Sequence, residues 1–411
     1  MNSAPLYDLT PLLRLALLGV VLASAPLAWL WLRHRGQPAA QRQRALTLLT
    51  LFVTFDLVLF GAFTRLTDSG LGCPDWPGCY GNASPVGARA QIDVAQTAMP
   101  TGPVTHGKAW IEMIHRYLAT GVGVLILVLA ASGWVAVRRE RARKRRAATG
   151  FLDPLGGRLP QSGGLGAVAT ISPWWPTLTL VGVSIQGAFG ALTVTMKLYP
   201  AIVTLHLMGG MVLLALLAVQ AQLYAPAPLI LSPRLKAATW GVALFSVVQI
   251  ALGGWVSTNY AVLACSDFPL CQGRWWPEMD FAQGFTVLRE LGLQADGSYL
   301  PFSALTAIHY VHRLAAYAVL LALAVLAWAL FARRDAALRR WAIALLAIAA
   351  WQLASGLSNV LLNWPLFGAV AHTAGAAALV VVLTVLLCRA AHAGPAIAVN
   401  DPARPAQVPT S

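Results

Sequence analysis

Long apolar stretches alternate with short polar segments along most of the chain. An apolar helix of about 20 residues crosses the hydrocarbon core of a bilayer, since each helical residue adds about 1.5 Å of length. Nine stretches reach that length, and the pattern predicts a membrane-spanning helix in each: 12–32, 46–66, 114–137, 174–195, 201–224, 238–258, 305–331, 341–362 and 367–388. Two longer polar segments, 67–113 and 259–304, are predicted to form large loops.

Basic residues are concentrated after the first, third, fifth and seventh of these spans. They are Arg33, Arg35, Arg42 and Arg44; Arg138, Arg139, Arg141, Arg143, Lys144, Arg145 and Arg146; Arg234 and Lys236; and Arg333, Arg334, Arg339 and Arg340. Cytoplasmic loops of membrane proteins carry an excess of lysine and arginine, so all four segments are predicted to be cytoplasmic. The N-terminus and both large loops then lie on the periplasmic side of a bacterial inner (plasma) membrane, and the C-terminus lies in the cytoplasm.

The composition agrees with a membrane protein. Of the 411 residues, 58% are hydrophobic and 11% are charged, whereas about 25% of the residues of a soluble domain are charged. The net charge of +14 would suit a nucleic-acid partner. The basic residues lie in short segments between the spans, which excludes a nucleic-acid-binding protein and favours membrane lipid as the partner. The segment 147–170 is rich in glycine, proline and alanine and is predicted to be a flexible loop.

Two parts of the chain repeat each other. The motif Cys-x-Asp-aromatic-Pro-x-Cys spans 73–79 and occurs again at 265–271, 192 positions later. The residues that match farther along are Glu112, His115 and Arg116 with His309, His312 and Arg313, and then Gln186, Gly190 and His206 with Gln352, Gly356 and His372. A repeat of this length predicts two copies of one structural unit.

The repeat divides the nine spans into one extra helix and two sets of four. We predict an all-α polytopic membrane protein with two pseudo-symmetric four-helix bundles and one extra N-terminal transmembrane helix. The predicted boundaries are 1–45 for the uncleaved extra helix and its cytoplasmic linker, 46–225 for the first half, 226–392 for the second half, and 393–411 for a disordered cytoplasmic tail. Both halves begin and end on the same sides of the membrane, so the repeat is parallel.

Four histidines recur by position, two in each half. His115 and His206 belong to the first half, and His312 and His372 belong to the second. Each lies within about two helical turns of the predicted periplasmic end of its span. Two imidazoles that face each other across a bundle are suited to bind one haem iron as axial ligands. A lone histidine is more often packed in a polar niche, but four repeated positions favour ligation.

Other charged residues lie near these histidines. Arg65, Arg116 and Arg313 carry guanidinium groups that match carboxylates such as haem propionates, although an interfacial arginine can also reach lipid headgroups. Glu112 breaks the repeat, because His309 takes its place in the second half. A buried carboxylate can accept a proton, or it can stabilise the start of a helix. We therefore expect the first half to perform chemistry and the second half to transfer electrons.

The two cysteine pairs each enclose five residues on the predicted periplasmic side. A disulfide within each pair is the favoured interpretation for an oxidising compartment. Zinc binding is less favoured because each pair lacks two further ligands nearby, and a redox role of an exposed, labile disulfide stays open. The fifth cysteine, Cys388, is given no role.

These motifs together resemble the haem A synthase family over about residues 46–390. The resemblance rests on Thr-Arg-Leu-Thr-x-Ser-Gly-Leu-Gly-Cys-Pro-Asp-Trp-Pro-Gly-Cys at 64–79, on Glu-Met-Ile-His-Arg at 112–116, on the later histidines and on the second cysteine loop. It implies two pseudo-symmetric four-helix bundles, each with a haem site near the periplasmic face. It also implies a first-loop cysteine pair and a second-loop disulfide, at Cys73 and Cys79 and at Cys265 and Cys271. The extra helix at 12–32 is a departure from the family's unit.

The resemblance also implies the site residues and the reaction. His312 and His372 would hold a haem b cofactor, His115 and His206 would face the substrate haem O, and Glu112 would be the catalytic proton acceptor. The expected reaction oxidises the C8 methyl group of haem O to a formyl group by successive hydroxylation with oxygen from water. Electrons would leave through the haem b. Expected partners are a haem O synthase as substrate donor and the terminal oxidase assembly machinery.

Two other function classes share some of these features. A di-haem membrane cytochrome b that only carries electrons would need four histidines but not Glu112. A transporter is less favoured, because the polar residues cluster near the outer face and not at the midplane of the membrane. The sequence does not define the electron acceptor, for which a quinone is a candidate, or the oligomeric state, for which a homo-oligomer is a candidate.

Overall fold

The computed structural model describes residues 10–148 and 171–392, and these ranges are mostly helical. They contain eleven α-helices: α1 Thr10–His34, α2 Ala39–Leu66, α3 Arg89–Ala98, α4 His106–Ala148, α5 Trp174–Thr195, α6 Pro200–Tyr224, α7 Pro233–Thr258, α8 Phe281–Gly284, α9 Phe302–Phe331, α10 Ala336–Leu361 and α11 Leu366–His392. Beta structure in the described ranges is limited to isolated bridges in the loops. The all-α prediction is confirmed.

Nine of the described helices are long and apolar enough to cross a membrane. They are α1, α2, α4, α5, α6, α7, α9, α10 and α11, and each covers one of the predicted spans. The protein is therefore a multi-pass membrane protein. The predicted flexible loop at 147–170 lies outside the described residues except for positions 147 and 148, and the predicted tail at 393–411 lies wholly outside them.

Helix α4 is much longer than predicted, with 43 residues instead of the 114–137 segment. It begins at His106, where the Thr105 hydroxyl accepts a hydrogen bond from the backbone nitrogen of Lys108 at 3.3 Å. It continues past the apolar segment because arginine, lysine, glutamate and alanine are good helix formers. An ion pair of 2.9 Å between Glu140 and Lys144, one turn apart, adds to this extension. Hydrophobicity alone marks only the lipid-facing part of such a helix.

The helix contacts fall into two groups. In the first half, α2, α4, α5 and α6 pack against one another, and in the second half α7, α9, α10 and α11 do the same. Helices α6 and α2 also contact α11, and α6 contacts α7, so the halves lie side by side. Each half has its own buried apolar cluster, which includes Leu125, Leu129 and Leu217 in the first and Leu323 and Leu345 in the second. The pseudo-symmetry of the halves stays a prediction.

Contacts across the halves place both cysteine loops at the same end of the molecule, which we call the loop end. The guanidinium of Arg65, near the end of α2, donates to the carbonyl oxygen of Ser257 in α7 at 2.7 Å, 192 residues away. The hydroxyl of Tyr260 donates to the carboxylate of Asp68 at 2.6 Å, also 192 residues away. The Arg65 guanidinium lies 4.0 Å from the centre of the Tyr260 ring. Both contacts join residues at matched positions of the repeat.

The extra helix α1 packs along α4, the helix that carries Glu112 and His115. A Cβ atom at Gly19 would lie 2.5 Å from the Thr120 methyl carbon, so only glycine permits this close approach of the two helices. Near the loop end, Leu15 is buried in one cluster with the first cysteine pair and residues of α4. The described part of the extra helix therefore packs mainly against helices of the first half.

Candidate functional site

The first and second cysteine loops at the loop end have the same internal structure. The disulfides Cys73–Cys79 and Cys265–Cys271 are formed, with S–S distances of 2.09 and 1.98 Å, which confirms the disulfide prediction. After the second cysteine of each loop, two residues adopt positive φ angles, and the second of them is a glycine, Gly81 or Gly273. Glycine reaches positive φ without steric cost, which explains its place in this tight turn.

An aspartate inside each cysteine loop stabilises that turn. The carboxylate of Asp75 accepts hydrogen bonds from the backbone nitrogens of Tyr80 and Gly81 at 2.6 and 2.7 Å. The carboxylate of Asp267 accepts two bonds from the matched nitrogens of the second loop at 2.7 and 2.9 Å. The backbone N–H of Gly273, followed by others in the loop, lowers the pKa of the Asp267 carboxyl. The aspartate of the repeated motif is therefore a structural residue of the loop.

The predicted arginines hold the cysteine loops onto the helices. The guanidinium of Arg116 in α4 donates to the carbonyl oxygens of Asp75, Pro77 and Gly78 at 2.9, 3.2 and 2.5 Å. The guanidinium of Arg313 in α9 donates in the same way to three carbonyl oxygens of the second loop, at 2.7 to 3.2 Å. Sequence reasoning assigned these arginines to propionates or headgroups and did not anticipate this contact with the loops.

Glu112 is buried, with 3% of its surface exposed, and both of its carboxylate oxygens are bound. One oxygen accepts from the backbone nitrogen of Cys73 at 2.7 Å, and the other forms an ion pair with Arg116. In the second half, His309 is also buried, and its Nδ1 atom lies 3.1 Å from the carbonyl oxygen of Ala261. The matched positions therefore carry different groups, a carboxylate in the first half and an imidazole in the second.

The four predicted ligand histidines come together in two pairs. His115 lies near His206, and His312 lies near His372, so each pair shares one region of its half. Each ring lies against a glycine of a neighbouring helix. A Cβ atom at that glycine would lie close to the Cε1 atom of the ring, at 3.0 Å for Gly61 and His115, 3.2 Å for Gly190 and His206, 2.9 Å for Gly253 and His312, and 3.3 Å for Gly356 and His372.

These pairs fit haem ligation better than a site for a bare metal ion. Among the residues that the structure describes, no three histidine, cysteine, aspartate or glutamate side chains gather into a metal site. A haem needs only two axial protein ligands, because the macrocycle supplies the other four. All four histidines are half-buried, and the buried Nδ1 atoms of His115 and His206 have no hydrogen-bond partner. Such polar atoms inside an apolar bundle are costly unless they serve a ligand site.

Several polar residues around the histidines were missed by sequence reasoning. Gln249 lies next to His312, and Ser355 lies next to His372. Their matched positions hold Leu57 and Phe189, so a search for mismatches within the repeat would have found both. Arg289, in the second loop, is 2% exposed and donates to Asn259 at 2.5 Å. Burial lowers the pKa of this guanidinium. No pattern in the sequence pointed to Arg289.

Comparison with known proteins identifies related sequences. The family profile "COX15-CtaA: Cytochrome oxidase assembly protein" matches residues 44–384. A protein of Shewanella oneidensis named heme A synthase is 33% identical over 342 residues, which cover 82% of this chain and 93% of that protein. Proteins with the same name from Chelativorans sp. and Rhizobium etli are 31% and 28% identical, and each alignment covers 82% of this chain and 88% and 87% of the relative.

Proposed function

The chain belongs to the haem A synthase family of cytochrome oxidase assembly proteins, and on that premise we propose that it oxidises the C8 methyl group of haem O to the formyl group of haem A. The reaction proceeds through successive hydroxylations. Each hydroxylation removes two electrons and one proton from a C–H bond and adds hydroxide from water, whose other proton is released. The second hydroxylation gives a geminal diol, which loses water to form the formyl group. The farnesyl tail of haem O suits a site that is embedded in lipid.

The observation that carries this proposal is the presence of a buried carboxylate in only one of the two histidine sites. Glu112 precedes His115 by three residues, so the two side chains share a face of α4. Hydrogen bonds from Cys73 and the ion pair with Arg116 orient the carboxylate. Each carboxylate oxygen offers more than one lone pair, so Glu112 can still accept a proton from the substrate methyl group. A protein that only carries electrons does not need this base.

The two histidine pairs have different proposed roles. His115 and His206 hold the substrate haem O beside Glu112. His312 and His372 are the axial ligands of a resident haem b, which supplies one-electron transfer when bound. The glycine beside each ring and the half-buried position of each histidine support haem ligation by both pairs, and Glu112 beside the first pair supports the difference between their roles. We place both sites near the periplasmic face of a bacterial inner membrane, because the basic segments lie at the opposite ends of the helices.

The arginines keep a proposed second role toward the haem propionates. Arg116 and Arg313 already donate to loop carbonyls, and Arg65 donates to Ser257. A guanidinium has five N–H donors, so a propionate contact would use the remaining ones. We further propose that a haem O synthase delivers the substrate, that the product goes to terminal oxidase assembly, and that a quinone accepts the electrons. A homo-oligomer in the membrane would be compatible with each of these roles.

The test is to express the full chain together with a haem O synthase in a host that lacks haem A. Extracted haems are separated by chromatography and identified by mass. Haem A, or its hydroxymethyl intermediate, is the expected product. Haem B alone, with haem O unconverted, would contradict the enzyme proposal and favour the di-haem electron carrier. A purified, folded protein without any haem would favour a transporter.

A further inference from the structure

The two histidine sites differ at the Nδ1 atoms of their imidazole rings. In the second half, the Ser355 hydroxyl oxygen lies 3.0 Å from Nδ1 of His372 and 2.7 Å from the carbonyl oxygen of Trp351. A hydroxyl has one hydrogen, and a carbonyl can only accept, so Ser355 donates to Trp351. Its oxygen then accepts from the N–H of His372 Nδ1. The neutral ring has only one N–H, so its Nε2 atom keeps a free lone pair for a metal.

The other histidine of the second half has a polar neighbour as well. The amide nitrogen of Gln249 lies 3.0 Å from Nδ1 of His312 and 3.1 Å from the backbone carbonyl oxygen of His312. The amide oxygen of Gln249 is buried without a partner. If the amide rotated by half a turn when a haem binds, that oxygen would accept from the Nδ1 N–H of His312, at the expense of the bond to the His312 carbonyl. The ring then also presents Nε2 to a metal.

The first half lacks both groups. The position matched to Ser355 is Phe189, and the position matched to Gln249 is Leu57, and neither side chain can form a hydrogen bond. Accordingly, the buried Nδ1 atoms of both first-half histidines have no partner. A third polar residue does not distinguish the halves. Gln186 donates to the carbonyl of His206 at 2.6 Å. Its counterpart Gln352 can donate to the carbonyl of His372 in the same way, at 3.1 Å, while the N–H of His372 Nδ1 is directed to Ser355.

We propose that Ser355 and Gln249 are positioning residues that make the second histidine pair a site of retained haem, and that Phe189 and Leu57 keep the first pair able to release its haem. This inference rests on the proposed function and deepens it. A hydrogen bond at Nδ1 fixes the tautomer and the orientation of a ligating imidazole and makes it a stronger ligand. A site that binds haem O and must release haem A gains from the absence of such bonds, whereas a resident cofactor gains from their presence.

The experiment compares full-length variants purified in mild detergent. The measurements are the haem b content per protein, the rate of haem b loss to an excess of apomyoglobin, and the midpoint potential of the haem b. Ser355→Ala is expected to lose haem b about 10 to 100 times faster, as is typical for loss of an outer hydrogen-bond partner, and to raise the midpoint potential. Ser355→Thr keeps a hydroxyl and is expected to restore both values. Ser246→Ala removes a buried hydroxyl of α7 that donates to the carbonyl oxygen of Val242 and serves as the control.

The reciprocal variant tests the first half. Phe189→Ser introduces a hydroxyl at the position matched to Ser355, and we expect the purified protein to retain more haem O or haem A than the wild type. Unchanged haem loss and an unchanged potential in Ser355→Ala, with wild-type retention of haem O and haem A in Phe189→Ser, would overturn the inference alone. A wild-type protein without haem b would instead overturn the proposed function. Haem loss in Ser246→Ala equal to that of Ser355→Ala would show a merely structural effect and would also overturn the inference.

Discussion

In both halves, an arginine on the next membrane-spanning helix, α4 or α9, donates to carbonyl oxygens of the cysteine loop. The disulfide, the aspartate and the glycine turn of the loop are also the same in both halves. The halves differ one turn away from that arginine, where the first half has Glu112 and the second half has His309, and at the Nδ1 atoms of the histidines. The shared groups build the loop end, and the differing groups surround the histidines. The shared residues therefore hold the structure, and the differing residues decide what each histidine site does.

The largest expected effect comes from removing the carboxylate that only the first half has. Glu112→Gln should reduce the conversion of haem O by about 100-fold or more, because a positioned general base contributes about 10²–10⁴-fold. The product is measured by chromatography of extracted haems, and the haem b content should stay at the wild-type level. Asp93→Asn alters a carboxylate of the first loop that pairs with His106 and should leave conversion unchanged. Full conversion by Glu112→Gln with both haem sites occupied would exclude Glu112 as the base.

The second prediction separates the two histidine pairs. His372→Ala should abolish retention of haem b, because losing a ligand costs more than the 10–100-fold that is typical for an outer partner. His206→Ala should leave haem b in place and weaken the binding of haem O. Both variants are compared by the absorption spectrum of the reduced pyridine haemochrome and by haem extraction. Loss of haem b from His206→Ala but not from His372→Ala would reverse the assignment of the halves.

A smaller effect is expected from the glycines that lie against the histidine rings. In Gly253→Ala, the new methyl group would lie 2.9 Å from Cε1 of His312 and must displace the ring. Overpacking of this kind costs about 1–3 kcal/mol, so haem b occupancy should fall measurably. Gly241→Ala, in the same helix, meets no atom within 4 Å and is the matched control. Equal haem occupancy in the two variants would show that the glycine beside the ring has no role.

The smallest effect is expected in the second loop. The lowered pKa of Asp267 means that its carboxylate stabilises the folded loop above the ordinary pKa of aspartate, about 3.9, and that this contribution is lost as the pH falls through the lower, folded value. Asp267→Asn should lower the melting temperature at neutral pH by about 1–3 °C. The difference in melting temperature between the variant and the wild type should become smaller in acid. Scanning fluorimetry at several pH values measures this. A difference that grows in acid would contradict the assignment.

The sequence predicted the large features because they depend on summed hydrophobicity and on repetition. Nine spans, two disulfides and four repeated histidines all follow from patterns that extend over many residues. The length of α4 was underestimated, since its polar ends form helix for reasons of propensity and capping. The short helix α3 of the first loop was not predicted, because its 10 residues are too few to stand out in a search for membrane-spanning stretches.

The partners of individual polar atoms could not be predicted in the same way. The role of Arg116 as a clamp on the cysteine loop depends on the path of the backbone between 73 and 79. The contact of Ser355 with His372 depends on the rotation of two helices relative to each other. Residue spacing defines which side chains share a helix face, but it does not define which face of the neighbouring helix they meet.

The contacts between Arg65 and Ser257 and between Asp68 and Tyr260 have a further consequence. In a symmetric dimer of identical chains, a residue near the axis meets its own copy, and every mutation appears twice. Here the two copies belong to one polypeptide, so a guanidinium can meet a carbonyl oxygen and a phenol can meet a carboxylate. Two arginines or two aspartates at these positions would repel each other. Because the two copies are covalently linked, a mutation can change one histidine site without changing the other. The contacts between the halves are then kept.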